Sequence, residues 1–442
     1  MSLFKAYDIR GVYGKELDEK VAYKVGRSFV SHFGMKKLAV GRDMRKSGMS
    51  LFKELARGIT DQGADVVDIG LVATPVLGTT VAREKLDGGI MISASHNPGE
   101  YNAFKLIKYP CEQLSPESGM EDIRLLCEKG NWTNTAVKGK IISFDALPPY
   151  ISNVLKHAEG IKGLKVVVDY GNGIGSVIGN PVFRKLDIEY LPMYEEPDGT
   201  FPNHPANPHD YENLRDLQER VKREKADIGI FFDGDADRSY MVDEKGDIVP
   251  ADMLVGLFAQ EELKKYPGER VYFDLRFSKA VRDAIKAAGG VPVMMKVGNP
   301  FYKAALIHQG GILGGEFSGH IMFKDNFFQD DGLFAAVKIL SILSRTRKPL
   351  SSLIQQFRTY HQTPEINMKV KDAKATLQML KDSYSDGKFI GIDGVLIEYP
   401  DWWFSIRMSN TEPLVRLRIE ADTAGLLEEK KKEILDKINS MV

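Results

Sequence analysis

The sequence is short of cysteine, carries almost no net charge and has no long apolar run, and each shortage excludes a class of protein. Only two cysteines, Cys111 and Cys127, occur in 442 residues. They form no CxxC or Cys/His cluster, so neither a disulfide framework nor a zinc site is indicated, and a reducing, cytoplasmic setting is expected. The 60 Lys and Arg against 61 Asp and Glu leave a formal net charge of −1. That is too little cationic excess for a chain whose main partner is a nucleic acid or an anionic membrane, although a local basic pocket is still possible. No stretch approaches the ~18 apolar residues of a membrane span, and the first residues lack a signal-peptide core. With 43% hydrophobic and 27% charged residues, the composition is that of an ordinary globular protein, long enough for about three domains at ~150 residues each.

The first 150 residues alternate helix and strand. Asp18 is the expected N-cap of a helix carrying Val21, Val25, Phe29 and Phe33 along one face. A strand at Leu38–Val40, a helix through Leu51, Leu55 and Ile59, a strand at Asp65–Ile69 and a helix after Pro75 follow. Gly88–Ile92 then runs straight into Ser93-Ala-Ser-His-Asn-Pro98. The cycle restarts at Lys165–Asp169 and ends in Asp227–Phe232 and the loop Asp233-Gly-Asp-Ala-Asp-Arg238. It restarts again after Pro250, with strands at Val271–Asp274 and Pro292–Met295, and ends in Gly310–Leu313 and Gly315-Glu-Phe-Ser-Gly-His320. Such alternation indicates parallel sheets, whose ligands gather at the carboxyl ends of strands. The tail differs: Val395–Glu398, Trp402–Met408 and Leu414–Ile419 read as an antiparallel meander, closed by a helix over Thr423–Ser440. The expected fold is α/β: three related mixed or parallel-sheet α/β domains at 1–147, 148–248 and 249–359, plus a smaller α+β domain at 360–442, around a central cleft.

The polar loops carry the candidate chemistry. Asp233, Asp235 and Asp237 follow an apolar strand, and three carboxylates so close repel unless a cation joins them. All-oxygen ligation favours Mg²⁺ or another hard cation. A solvated acidic turn is the alternative. An EF-hand fails because Arg238 stands where its loop needs Gly. Ser95 is a turn residue or a nucleophile; beside it His96 and Asn97 can donate to anions, and Lys105 adds a positive charge. Arg407-Met-Ser-Asn-Thr411, with Arg416 and Arg418 beyond, offers the guanidinium, hydroxyl and amide donors that a phosphate monoester needs, or is simply a turn. Glu316, Ser318 and His320 suit a polyol or form a structural hydrogen-bond cluster. Gly171-Asn-Gly-Ile-Gly175 lacks the third glycine of a dinucleotide loop, and no Gly-Lys pair continues into Ser or Thr as a Walker A loop would.

These loops, in this order, together with Ala6-Tyr-Asp-Ile-Arg-Gly11 and Gly41-Arg-Asp43, resemble the α-D-phosphohexomutase family in its phosphomannomutase/phosphoglucomutase branch, through nearly the whole chain. The resemblance implies an isomerase that interconverts hexose 1- and 6-phosphates through phosphoserine at Ser95 and a hexose 1,6-bisphosphate that is both intermediate and activator. It implies Mg²⁺ on Asp233, Asp235, Asp237 and the phosphoryl group of Ser95. Glu316 and Ser318 would hold sugar hydroxyls beside His320, and Arg407, Ser409, Asn410 and Thr411 the phosphate that is not transferred. Tyr7, Arg10, Lys105, Arg238 and Arg276 match positions lining the family's cleft. Arg10, Lys105 and Arg238 would balance the donor's charge. Lys105 is the candidate for proton transfer, which requires a lowered pKa.

Two positions depart from the branch. Asn299 stands where bacterial members often carry a cleft histidine, and an amide cannot shuttle a proton. Phe317 replaces the Gln shared by phosphoglucosamine mutases, which favours mannose and glucose over the amino sugar. Phosphoglucosamine mutase, a sugar-phosphate phosphatase and a non-catalytic sugar-phosphate sensor are the alternatives. The expected partner is a phosphohexose, with no nucleic acid and no membrane, and the chain is expected to be a monomer or weak homo-oligomer.

Overall fold

The computed structural model describes residues 3–133, 135–408 and 414–440. It gathers into two compact units, residues 1–251 with 298–351 and residues 252–297 with 352–442. The architecture is a four-domain α/β one with mixed sheets. Among the described residues, no helix is long and apolar enough to cross a membrane.

In the first unit, Asp18 caps the helix Glu19–Phe33 by accepting from the Val21 amide at 2.8 Å. That helix and its neighbour, Gly48–Asp61, cross backbone to backbone. A Cβ on Gly26 would lie 2.5 Å from the Leu55 carbonyl oxygen, and one on Gly58 would lie 2.2 Å from that of Tyr23. The first sheet runs in the order Ile9–Val12, Tyr101–Lys108, Gly88–Ile92, Lys37–Arg42, Asp65–Leu71, Ile141–Ser143. The second runs Ile248–Val249, Ser239–Asp243, Ile228–Phe232, Lys162–Asp169, Asp187–Met193.

The sheets are mixed, as expected: the βα cycles pair in parallel, and the strands that flank the polar loops pair antiparallel. Gly88–Ile92 pairs antiparallel with Tyr101–Lys108, Ile228–Phe232 with Ser239–Asp243, and Leu313–Gly315 with Ile321–Phe323. Each polar loop therefore joins a buried strand to a returning antiparallel partner. A hairpin anchors a loop at both ends, and the short Leu313–Gly315 strand shows that little ladder is needed. The returning strand at 101–108 is hidden in the sequence because Asn102, Lys105 and Lys108 interrupt its apolar run. The helix Gly332–Thr346 is buried on most sides, so it lacks the one-sided stripe that marks a surface helix.

In the second unit, Arg270–Asp274 and Val291–Met295 pair in parallel. Ser278 caps the helix Lys279–Ala287. The tail is the expected meander: Lys388–Ile390, Val395–Glu398, Trp402–Met408 and Leu414–Ala421 pair antiparallel in turn. The closing helix, Ala424–Asn439, is capped by Thr423. Trp402, Phe404, Leu417, Ile434 and Ile438 fill the core beneath.

The helix crossing gives a direct stability test. Gly58→Ala is expected to cost about 1–3 kcal/mol, because the methyl meets backbone that cannot rotate away. Gly425→Ala, where nothing lies within 4 Å of the added methyl, should be neutral or stabilising by up to about 1 kcal/mol. Thermal or urea unfolding compares the two, and equal losses would refute the packing argument.

Candidate active and metal site

Two buried strands bring the serine and the carboxylates together. Gly88–Ile92 is buried throughout and delivers Ser95, itself buried, with φ of 51°. A left-handed serine costs about 1–2 kcal/mol, and the turn is held by neighbours. The Ser95 amide donates to Ser93 Oγ at 3.0 Å. Arg45 donates to the carbonyls of Ser95 (2.8 Å), Asn97 (2.6 Å), Pro98 (2.6 Å) and Tyr101 (2.9 Å). Its Nε donates to Asp43 at 3.2 Å, and both side chains are fully buried. Ile228–Phe232, equally buried, delivers the Asp loop. A Cβ on Gly234 would stand 2.3 Å from the Ser95 carbonyl oxygen, so the two loops touch through backbone and only glycine fits.

Ser95 Oγ lies between a carboxylate and a guanidinium. It donates to Asp233 Oδ2 at 2.8 Å and accepts from Arg238 Nη2 at 3.0 Å. Arg238 also donates to Asp233 through Nε (3.0 Å) and Nη2 (2.6 Å), to His96 Nδ1 (2.6 Å) and to His209 Nε2 (3.0 Å). A guanidinium only donates, so both imidazoles accept. Burial and the nearby Arg238 and Arg10 push His96 well below its ordinary pKa. Instead of donating to an anion through Nδ1, as its loop position suggested, neutral His96 supports the arginine that does. Arg10 donates to Asn97 Oδ1 and pairs with Asp8.

The three carboxylates fit a hard cation. Asp233, Asp235 and Asp237 each place an oxygen within 4.8 Å of the others. Asp235 Oδ1 and Asp237 Oδ1 are buried without a hydrogen-bond partner among the described residues. Orphaned buried oxygens in an all-carboxylate set have the chemistry to hold a divalent metal ion. A second grouping, Asp237, His320 and Asp330, is spent internally: Asp330 binds Lys303 at 2.6 Å and Asn299 at 2.7 Å.

Charge is balanced residue by residue. Lys105 Nζ, from the returning strand, donates to Asp235 at 2.6 Å and Asp237 at 2.7 Å. Burial opposes its charge, yet Asp235 and Asp237 outweigh burial and raise its pKa. Proton transfer by Lys105 requires a lowered pKa, and the two aspartates push it the other way. Burial would also raise Asp237, but Lys105 and His320 hold it well below the carboxylate range. Asp233 is pushed up to about 7 by burial, with Arg238 pulling against it.

The third hairpin closes on itself. The Glu316 amide donates to the His320 carbonyl at 3.0 Å, and Ser318 Oγ lies 2.8 Å from His320 Nδ1. His320 Nε2 stands 3.6 Å from Asp237. Burial disfavours its charge, but Asp237 and Glu316 lift it to about 9. Glu316 accepts from the Gly298 amide at 3.0 Å. Asn299 is buried and donates to Asp330 and to Gln113 (3.2 Å), whose own amide donates to the Tyr7 carbonyl at 3.1 Å. Tyr7 meets Phe301 edge-on at 5.9 Å. The first unit thus gathers Tyr7, Arg10, Ser95, Lys105, the three aspartates, Arg238, Asn299, Glu316, Ser318 and His320. The second holds Arg276, bidentate on Asp274 (2.8 and 2.6 Å), and Arg407, which reaches Glu365 at 3.5 Å. Ser409, Asn410 and Thr411 lie outside the described residues. Sequence reasoning missed Arg45, His209, Asp330 and Glu365. Of these only Arg45 stood near a noted motif, two residues past Gly41-Arg-Asp43.

A proton on Asp233 competes with metal, so the apparent affinity for Mg²⁺ should fall as pH drops below about 7, approaching about tenfold per pH unit. Above that pH it should level off. Calorimetric titration at pH 6, 7 and 8 measures this, and a flat profile would rule out a proton shared at Asp233.

The family's phosphoglucomutase/phosphomannomutase α/β/α domains I, II and III match residues 1–132, 148–246 and 250–360, and its C-terminal domain matches 365–437. The phosphomannomutase/phosphoglucomutase of Pseudomonas aeruginosa is 39% identical over 437 residues, covering 97% of this chain and 93% of that one. The phosphomannomutase of Vibrio cholerae is 36% identical, covering 100% of this chain and 99% of its own. A phosphoglucomutase/phosphomannomutase family protein of Burkholderia thailandensis has a solved structure that superposes with a TM-score of 0.91 at 35% identity, over 100% of this chain and 97% of that one. All four domain models match in order, and relatives 36–39% identical cover nearly the whole chain: the chain belongs to the phosphoglucomutase/phosphomannomutase family, whose members are isomerases.

Proposed function

We propose that this protein interconverts the 1- and 6-phosphates of mannose, glucose or both, through a phosphoserine at Ser95 and a hexose 1,6-bisphosphate. The observation that carries the reading is Ser95 Oγ, hydrogen-bonded to Asp233 and to Arg238 at once. A metaphosphate-like transition state needs positioning and charge neutralisation rather than covalent assistance, and these residues supply both. Mg²⁺, held by Asp233, Asp235 and Asp237, would neutralise charge on the phosphoryl group.

Arg238 holds the Ser95 oxygen in place, and Arg45 fixes the backbone that carries it. As phosphoserine donates, its Oγ–P bond breaks and a bond forms from phosphorus to a free hydroxyl of the hexose phosphate. The hydroxyl loses its proton and the Ser95 oxygen ends with one. The bisphosphate then turns and returns its other phosphoryl group to Ser95. Lys105 acts as a fixed cation and hydrogen-bond donor beside Asp235 and Asp237. In the first unit Glu316 and Ser318 take sugar hydroxyls with His320, Tyr7 and Asn299 as further binding residues, and in the second Arg276 binds substrate and Arg407 with Ser409, Asn410 and Thr411 takes the retained phosphate. Arg10 orients Asn97 in the serine loop. We assign the serine, metal, sugar and phosphate loops to domains at 1–147, 148–248, 249–359 and 360–442, in a cytoplasmic monomer or weak homo-oligomer.

A coupled assay with glucose 1-phosphate and mannose 1-phosphate, Mg²⁺ and a trace of hexose 1,6-bisphosphate tests the reading. Ser95→Ala should lower turnover by at least about a thousandfold, and intact mass should show the loss of one phosphoryl group. Equal activity in the two proteins would overturn the role of Ser95. Stoichiometric release of free phosphate would make the protein a phosphatase.

A further inference from the structure

The second unit contains an arginine cluster whose counter-charge is undersized. Arg407 and Arg416 are direct partners across the antiparallel strands Trp402–Met408 and Leu414–Ala421. Like charges directly opposite each other are destabilising, so an anion is needed between them. Glu365 supplies it. It immediately precedes the strand Ile366–Lys369, whose Asn367 pairs with Arg416, and this places its carboxylate against the cluster. Arg416 Nη1 lies 3.2 Å from Oε1, while Arg276 Nη1 (3.4 Å) and Arg407 Nη2 (3.5 Å) share Oε2.

These contacts are long. The same Arg276 grips Asp274 at 2.6 Å, so the geometry distinguishes a committed pair from a shared one. Arg407 is 5% exposed, and its Nε has no hydrogen-bond partner among the described residues, nor does that of Arg416. A buried guanidinium with unused donors is a site for a further anion. Burial would raise Glu365, yet Arg276, Arg407 and Arg416 keep it below the usual carboxylate range, so it is charged when a phosphate arrives.

We propose that Glu365 sets the affinity of this arginine cluster for the retained phosphate: the carboxylate competes for the same guanidinium donors and keeps the phosphate from binding too tightly to leave. This rests on the reading that Arg407 and its loop take the phosphate that is not transferred. The competition has a use in that reaction. A bisphosphate that must turn and offer its other end has to release one phosphate from the cluster in every cycle, and tighter binding slows release.

Glu365→Gln keeps the shape and one acceptor and removes the competing charge. In full-length protein carrying Ser95→Ala, which stops turnover, calorimetry with glucose 1-phosphate and with inorganic phosphate should show roughly tenfold tighter binding when Glu365→Gln is added. With Ser95 intact, KM and kcat should fall together. Glu365→Asp, which keeps the charge, should bind within about threefold of its parent, and Arg407→Gln should abolish the gain from Glu365→Gln if the two act on one phosphate. Unchanged or weaker binding in Glu365→Gln, with an unaltered melting temperature, would make Glu365 a strut and overturn the proposal, as would a gain that survives Arg407→Gln. Absence of isomerase activity in the parent protein would instead overturn the mutase reading while leaving the binding ratio measurable.

Discussion

Three carboxylates buried within 4.8 Å of one another are the constraint on which the first unit is built. Left alone, such a group would protonate or unfold its loop. The structure counters it with cations from three places: Arg238 at the end of the Asp loop, Lys105 from the strand returning after the serine loop, and His320 from the third hairpin. Each sits on a hairpin, and Lys105, on the return strand itself, is held against two aspartates at 2.6–2.7 Å. The hairpins are how one acidic triplet is met from three directions.

The serine inherits its geometry from this arrangement. Arg238 can touch Ser95 Oγ because Asp233 fixes one side of its guanidinium and two acceptor imidazoles, His96 and His209, fix the others. Arg45 does for the backbone what Arg238 does for the hydroxyl, gathering four carbonyls onto one buried guanidinium. Four carbonyl dipoles and Asp43 around one buried cation make a rigid hub, and under the proposed function that rigidity sets where the phosphoryl group is held.

How far this was legible in the sequence follows from how each feature is encoded. Local features were: the Asp18 cap, the three polar loops and the terminal meander each rest on residues within one turn or one strand. The return strand at 101–108 was not, because Lys105 faces buried aspartates and so breaks the apolar pattern that marks a buried strand. The same polar residue that hides the strand is the reason for it. Arg45, His209, Asp330 and Glu365 each act on partners distant in sequence, with separations of 50 and more between Arg45 and Ser95, or Glu365 and Arg416. An isolated charged residue reads as surface until its partners are known. Asn299 shows the converse. The resemblance led to a histidine being expected there, but the commitment of Asn299 to Asp330 and Gln113 appears only in three dimensions.

The near-zero net charge of the chain conceals two sites of opposite design. In the first unit, an excess of carboxylate is neutralised by side-chain cations that still leave Asp235 Oδ1 and Asp237 Oδ1 without a hydrogen-bond partner among the described residues. In the second, an excess of guanidinium is neutralised by a carboxylate that three arginines must share at 3.2–3.5 Å. Both are incompletely satisfied, and each deficit has the sign and donor chemistry of a ligand: oxygens for a metal, N–H groups for a phosphate. A fully satisfied ion-pair network would be more stable and would bind neither. Under the proposed function, the unsatisfied atoms are the stability given up so that the folded protein can take up a cation and phosphates reversibly.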